Sequence, residues 1–445
     1  MNRTLLSAEF AAERAVRAPA TWGQLEFWLC IRKTAPHDAA FNNHSVLQLD
    51  GVDPQTCVQA LAFFTARHES LRTTFETAPD GTLLQRAPRT GAVTAVRVDV
   101  PAEEVPAATD RLVDEFMRES FDYHDELPVR CGLVVADGGV RSMLLVISHM
   151  SIDGAGWVPL MDEFTAYLTE GPEAVPPLPE DAWQPAELAA WEATAEAADL
   201  TARTVAYASG LLRSADLQKL PDNPDGPESP RFLGGRLRSR AAYHAVGLIS
   251  RRTGLSTTTV ILGTVCRLIG PLAGSEVVSL SLISRRRLNR RTRRMVGNQF
   301  QEAFFALDLA DASPLEVLDR TWKSTVRAYS HCGGHPIALD RMFLDHGRKR
   351  EETFRYCFND RRYDHRPAPD TVPAEDLEAL RDSSELSWPE QPDGQFDAFF
   401  LCLEDADGAI DFRLTADTLH FGRTTIAAFL HDLEALLVAT AADPT

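Results

Sequence analysis

The stretch MLLVISHMSIDGAGW, Met143 to Trp157, changes character twice within fifteen residues. Five apolar residues at 143–147 have the length and continuity of a buried strand. The run stops at Ser148-His149, and Asp153-Gly154 follow four residues later. Beyond them Val158, Met161, Phe164 and Leu168 recur at helical spacing as far as Gly171. Strand, tight turn and amphipathic helix in succession are a common way to hold a side chain at the edge of a cleft. A histidine side chain ordinarily changes charge near neutral pH, which suits position 149 to proton transfer. Gly154 lies at the start of the helix, where free N–H groups favour negative charge and a bare backbone lets a substrate approach. A base beside backbone donors fits acyl transfer, in which a nucleophile loses a proton while an oxyanion forms. Asp153 either orients His149 or is held by an arginine and supports the turn; a structured turn with no catalytic role fits the same six residues.

The elements on either side make the first half an α+β layered domain. His44–Gly51 alternates like a strand. Asp53 and Pro54 open a helix carrying Val58, Leu61 and Phe64. Residues 71–76 and 82–87 read as a hairpin around Asp80-Gly81, and 127–148 as two strands around 137–139. The first twenty residues are expected to form a short amphipathic helix. Pro-rich GPEAVPPLPEDAWQP, 171–185, marks a linker, which divides the chain into 1–172 and 173–445. The second half repeats the mixture: a helix opened by Ser256, a strand at 276–284, a strand pair at 396–416 and a closing helix after Arg423.

Composition narrows the function. The 445 residues carry a formal net charge of −19, so a general nucleic-acid binder is excluded by repulsion from phosphate. No membrane span and no signal peptide are expected, because no uninterrupted apolar run approaches about 18 residues. Seven scattered cysteines without a CxxC pair fit reduced thiols in a cytoplasm. The absence of HExxH and of close His/Cys clusters predicts no metal.

The chain resembles the condensation domains of nonribosomal peptide synthetases, within the chloramphenicol-acetyltransferase-like superfamily. The family's HHxxxDG appears as Ser148-His149-Met-Ser-Ile-Asp153-Gly154, and its RHExLRTxF as ARHESLRTTF at 66–75. TWGQLEFWL (21–29) resembles the opening motif, YCFND (356–360) a later strand, and DFRLTADTLHFGRTTIAAFLHDLEALLVATAADP the C-terminal ending. The segment from Val277 to Leu309 stands in place of IGxFVNTxPLRVxL. Two departures are plain. Ser148 replaces the first histidine, and Gln301 and Phe304 stand where that segment has Asn and Pro.

The resemblance implies two acetyltransferase-like α+β lobes in a V-shaped pseudo-dimer with a central tunnel. Acyl or peptidyl carrier proteins, acting in trans, would present substrates on phosphopantetheine arms, with no further cofactor, and a small amine or alcohol would be the acceptor. The product is an amide or ester of natural-product biosynthesis. His149 maps onto the family's functional histidine, with Ser148 and Gly154 beside it. Asp153 maps onto a structural aspartate paired to an arginine; Arg67 is the favoured partner and Arg72 the other. Trp157, Gly297, Asn298 and Gln301 would line the tunnel. SRRRLNRRTRR places seven arginines between Arg285 and Arg294. They are either a solvated basic loop or, through Arg285, Arg286, Arg287 and Arg290, a docking patch for an acidic carrier or a phosphate. Two other functions stay open: acyl transfer from coenzyme A, and a catalytically inactive domain that recruits partner proteins.

Overall fold

A computed structural model of the chain describes residues 2–214, 220–284, 287, 289–362, 372–389 and 397–443. They form two compact units, 1–198 with 285–300, and 199–284 with 301–445. The Pro-rich stretch therefore stays with the first unit. The arginine-rich segment, which leaves and rejoins the second unit in sequence, also belongs to the first.

In the first unit a five-stranded sheet runs β1 (Asn2–Ala11), β6 (Thr90–Asp99), β7 (Val129–Ala136), β8 (Gly139–Ser148) and β3 (Asn42–Val52). A smaller sheet joins β2 (Val16–Pro19), β5 (Leu83–Ala87) and β4 (Thr74–Thr77). The continuous apolar run 143–147 has a simple cause: both faces of β8 are covered. Met143, Leu145 and Ile147 meet residues of α2 (Pro54–Arg67) and α4 (Gly154–Glu170) in one core. Leu144 and Val146 meet Leu112 and Phe116 of α3 (Val105–Met117) in another. α4 presents Leu160, Phe164 and Leu168 to its core, while Val158 is exposed. Of the four positions that the spacing marks, Met161, Phe164 and Leu168 pack inward and only Val158 does not. Two further helices, α1 (Trp22–Thr34) and α5 (Pro185–Glu192), complete the unit, and α6 (Ala195–Ser214) leads into the second.

The N-terminus corrects one expectation. Residues 2–11 pair with β6 in unbroken antiparallel register, from Asn2↔Asp99 to Ala11↔Thr90. Leu6, Ala8 and Phe10 pack inward at period two and Leu5 faces out. Strand pairing here overrides the helical preference of Leu, Ala and Glu.

The second unit holds a seven-stranded sheet: β11 (Gln301–Asp308), β10 (Val277–Ser284), β12 (Tyr356–Asp360), β14 (Phe399–Ala406), β15 (Ala409–Asp417), β9 (Phe232–Ser239) and β13 (Glu385–Ser387). Its core gathers α7 (Arg240–Thr253), α8 (Thr257–Ala273), α11 (Leu377–Arg381) and α12 (Arg423–Ala442) on the sheet face carrying Val278, Leu280 and Leu282. α9 (Pro314–Ser330) adds Val317, Leu318 and Ala328 to that core. α10 (Pro336–Asp345) joins α6 around Phe304. By length and composition α12 is apolar enough to cross a membrane, but Ile426, Leu430, Leu433 and Leu437 sit in the core.

Candidate active site

β8 ends on Ser148, which is buried, and the chain then turns sharply: the Ser148 carbonyl accepts from the amides of Ser151 (2.9 Å) and Ile152 (3.3 Å). The Ser148 hydroxyl accepts the Met150 amide at 3.3 Å. A serine at the family's first histidine position is therefore part of the turn. Met150, Ser151 and Ile152 are fully buried, which leaves His149 as the partly exposed residue of the turn.

His149 is fixed from two sides. Its amide donates to the Phe41 carbonyl (2.9 Å), and its own carbonyl accepts the Asn298 amide nitrogen at 2.6 Å. The ring stacks on Phe27 of α1, with centroids 3.9 Å apart and planes 23° apart. Phe27 is itself held edge-on by Phe41 and Phe300. The imidazole thus rests on an aromatic platform in a residue that is half-buried overall, with its Nδ1 buried.

Asp153 serves the start of the helix. It caps α4: Oδ1 accepts the Gly156 amide at 2.7 Å, and Oδ2 accepts the Gln299 amide at 2.9 Å. Its arginine is Arg287, 2.5 Å from Oδ1 and equally buried, which corrects the expectation of Arg67 or Arg72. Arg287 also donates to the carbonyls of Thr292, Met295 and Gly297, so it ties segment 287–299 to the first turn of α4. Arg67 instead forks onto Glu163 of α4 and reaches the Pro176 carbonyl. His68 meets the same carboxylate at 2.7 Å. Burial pulls the His68 imidazole below its ordinary range. Burial pushes the Glu163 carboxyl up, but its bonds to His68 and Arg67 outweigh that and hold it below the usual carboxylate range. Arg72 is buried near Glu69, with burial lowering its pKa. The RHE motif clamps α2 to α4; it does not touch Asp153.

Two glycines that sequence reasoning passed over make the site possible. A Cβ at Gly156 would lie 2.9 Å from Ile152 and 3.0 Å from the Gly297 carbonyl oxygen. One at Gly23 of α1 would lie 2.8 Å from the Asn298 carbonyl oxygen. Segment 297–298 thus passes against the bare backbones of two helices. Gly154 is the first residue of α4, where the intrahelical ladder has not begun.

The other expected site residues separate. Gly297 and Asn298 lie at the turn, as described. Gln301 opens β11 in the second unit, where its side chain accepts the Gly334 amide. Trp157 is half-buried against the first unit's core, as packing. Arg287 is withdrawn from any docking patch by its pair with Asp153. Arg285 and Arg286 lie outside the described residues. Arg290 pairs with Asp181 and Arg294 with Asp162, and Arg291 lies over the Trp183 ring at 5.4 Å. The basic loop faces acids and an aromatic of its own unit. Among the described residues no group of three or more His, Cys, Asp or Glu is arranged to hold a metal.

A condensation-domain family model matches residues 18–445, and the chain belongs to that family. Its curated relatives are nonribosomal peptide synthetases and related synthases. The synthetase CymA of Salinispora arenicola is 28% identical over 355 residues, 74% of this chain. The chain spans 4 to 11% of the length of the curated relatives it matches. The X-domain from teicoplanin biosynthesis superposes with a TM-score of 0.74 at 20% identity, covering 98% of this chain and 97% of that one. A structure described as condensation domain-mediated chain release from the enacyloxin polyketide synthase superposes at 0.72 and 18% identity, over 98% and 84%. These superpositions establish the α+β acetyltransferase-like fold.

Proposed function

We propose that this chain transfers an acyl or aminoacyl group from a carrier-protein thioester to an amine or hydroxyl acceptor. The observation that carries the reading is His149, a half-buried histidine on a rigid aromatic platform with its backbone pinned on both sides. His149 takes the proton from the acceptor N–H or O–H as its heteroatom attacks the thioester carbonyl. The tetrahedral oxyanion is stabilised by the free amides that open α4, Gly154 foremost. Collapse breaks the C–S bond, and the proton held by His149 passes to the departing pantetheine thiolate. The new bond is an amide or an ester, and no oxidant, reductant or metal enters the balance. Asp153 is a positioning residue: with Arg287 it fixes the start of α4 and the segment that bonds the His149 carbonyl.

The test is mass spectrometry of acyl-loaded carrier proteins incubated with the chain and a panel of amine and alcohol acceptors. Acceptor-dependent release of the acyl group, lost in His149→Ala, supports the reading. Acyl groups that stay on every carrier in the presence of folded parent protein overturn it. Parallel reactions with acyl-coenzyme A identify the donor.

A further inference from the structure

The family site uses little of α9, yet this helix has two distinct faces. Val317, Leu318, Thr321 and Ala328 are buried, and Leu318 and Thr321 crowd Gly263 of α8. The opposite side should be polar in a surface helix. Instead Trp322, Val326 and Tyr329 lie there at 47, 52 and 37% exposure. Spacings of four and three residues put them in one stripe. The stripe adds nothing to the core of the second unit, and an exposed apolar stripe of this kind marks a contact surface. Trp and Tyr are the residue types that anchor protein interfaces.

Charge indicates the kind of partner. Lys323, which pairs with Asp319 at 2.6 Å, and Arg327 are exposed along one edge of the stripe. From Pro314, where α9 opens, to Lys349 the chain has six basic and four acidic residues, against a net charge of −19 overall. A cationic, aromatic helix face on an otherwise acidic protein complements an acidic partner that offers an apolar helix face of its own.

We propose that the outward face of α9, with Trp322, Val326 and Tyr329 as anchors and Lys323 and Arg327 as rim, docks an acidic helical carrier protein. The proposal rests on the acyl-transfer reading for the identity of the partner and gives that partner a landing place.

The probe is a panel of purified holo acyl and peptidyl carrier proteins, labelled at the N-terminus and titrated by fluorescence anisotropy at low and high salt. For the tightest carrier, Trp322→Ala is expected to weaken binding about ten- to a hundredfold, the range of an interface anchor. The pair Lys323→Glu with Arg327→Glu is expected to weaken low-salt binding and flatten its salt dependence. Leu5→Ser, at a comparably exposed apolar residue in the first unit, is expected to bind like the parent, and so is His149→Ala. All these sites except His149 are well exposed, and unchanged thermal midpoints check that the variants fold. The proposal fails if the tightest carrier binds the α9 variants as it binds the parent. It fails if no carrier binds at low salt, or if the parent is a dimer that Trp322→Ala turns into monomer. The two readings separate cleanly. Trp322-dependent binding without any acyl release leaves docking and removes the chemistry. Undiminished kcat/KM in the Trp322 variant leaves the chemistry and removes the docking.

Discussion

Removing the His149 imidazole deletes the proposed proton acceptor and leaves the turn intact, because His149 bonds the Phe41 carbonyl and the Asn298 side chain through its own backbone atoms. His149→Ala is expected to lower turnover about 10²–10⁴-fold, the usual contribution of a positioned acid–base group. The unfolding midpoint should stay near that of the parent. A loss of only a few-fold in folded protein would remove His149 from the chemistry. This residue stood out in the sequence through its match to the family's HHxxxDG at 148–154, since a structured turn alone fits the same residues. Its platform was not legible. Phe27 lies more than a hundred residues upstream, inside an ordinary amphipathic helix, and only the fold brings its ring under the imidazole. Asp153 shows the same limit. Its role as a cap and arginine partner follows from type and position, but its arginine is 134 residues away among seven that look alike in sequence.

At the scale of elements, the site is a joint between the first turn of α4 and the segment 287–299. The Asp153–Arg287 pair is buried on both sides, at 8 and 9% side-chain exposure. Breaking such a pair from one side leaves an uncompensated charge, so Asp153→Ala should cost about 3–5 kcal/mol. Asp153→Ala combined with Arg287→Met should cost clearly less than the two single changes added together, which a double-mutant cycle by urea denaturation measures. Strict additivity would mean that the pair does no joint work. The same joint explains Gly156. A methyl group there meets Ile152 and the Gly297 backbone, and neither is the free end of a flexible chain. Gly156→Ala is expected to destabilise by about 1–3 kcal/mol, as overpacking does. Turnover should fall further than stability alone explains, because segment 297–299 carries Asn298. Sequence periodicity found most elements, including the Asp53 and Ser256 caps, since capping is local chemistry. It misread residues 2–11, where the deciding partner, β6, lies some ninety residues away. It also set the division of the chain at the Pro-rich stretch, because a linker composition is visible and long-range contacts are not.

For the whole molecule, each unit has its own core, so unfolding need not be a single transition and pH offers a way to tell the units apart. In the first unit the buried His68 is held below its ordinary value of 6.5, so the folded state favours the neutral ring. Its contribution is complete above pH 6.5 and is lost as pH falls through the depressed folded value. Glu163, below its ordinary 4.5, adds a second loss at lower pH with the same sign. In the second unit Asp397 runs the other way. Burial, reinforced by the neighbouring Glu302 carboxylate, pushes it up to about 8 from 3.8. The folded state then favours its protonated form, so stability is greatest below pH 3.8 and drains away as pH rises towards 8. The expected profile therefore falls on the acid side through the first unit and on the alkaline side through the second. Asp397→Asn, which keeps the shape and removes the charge, should raise the unfolding midpoint of the second unit at pH 8 and leave it nearly unchanged at pH 4. His68→Gln should flatten the profile just below pH 6.5 without touching the alkaline limb. Calorimetry across this pH range with tryptophan fluorescence reads both limbs, and an alkaline limb unchanged in Asp397→Asn would show that this carboxyl is ionised in the native protein.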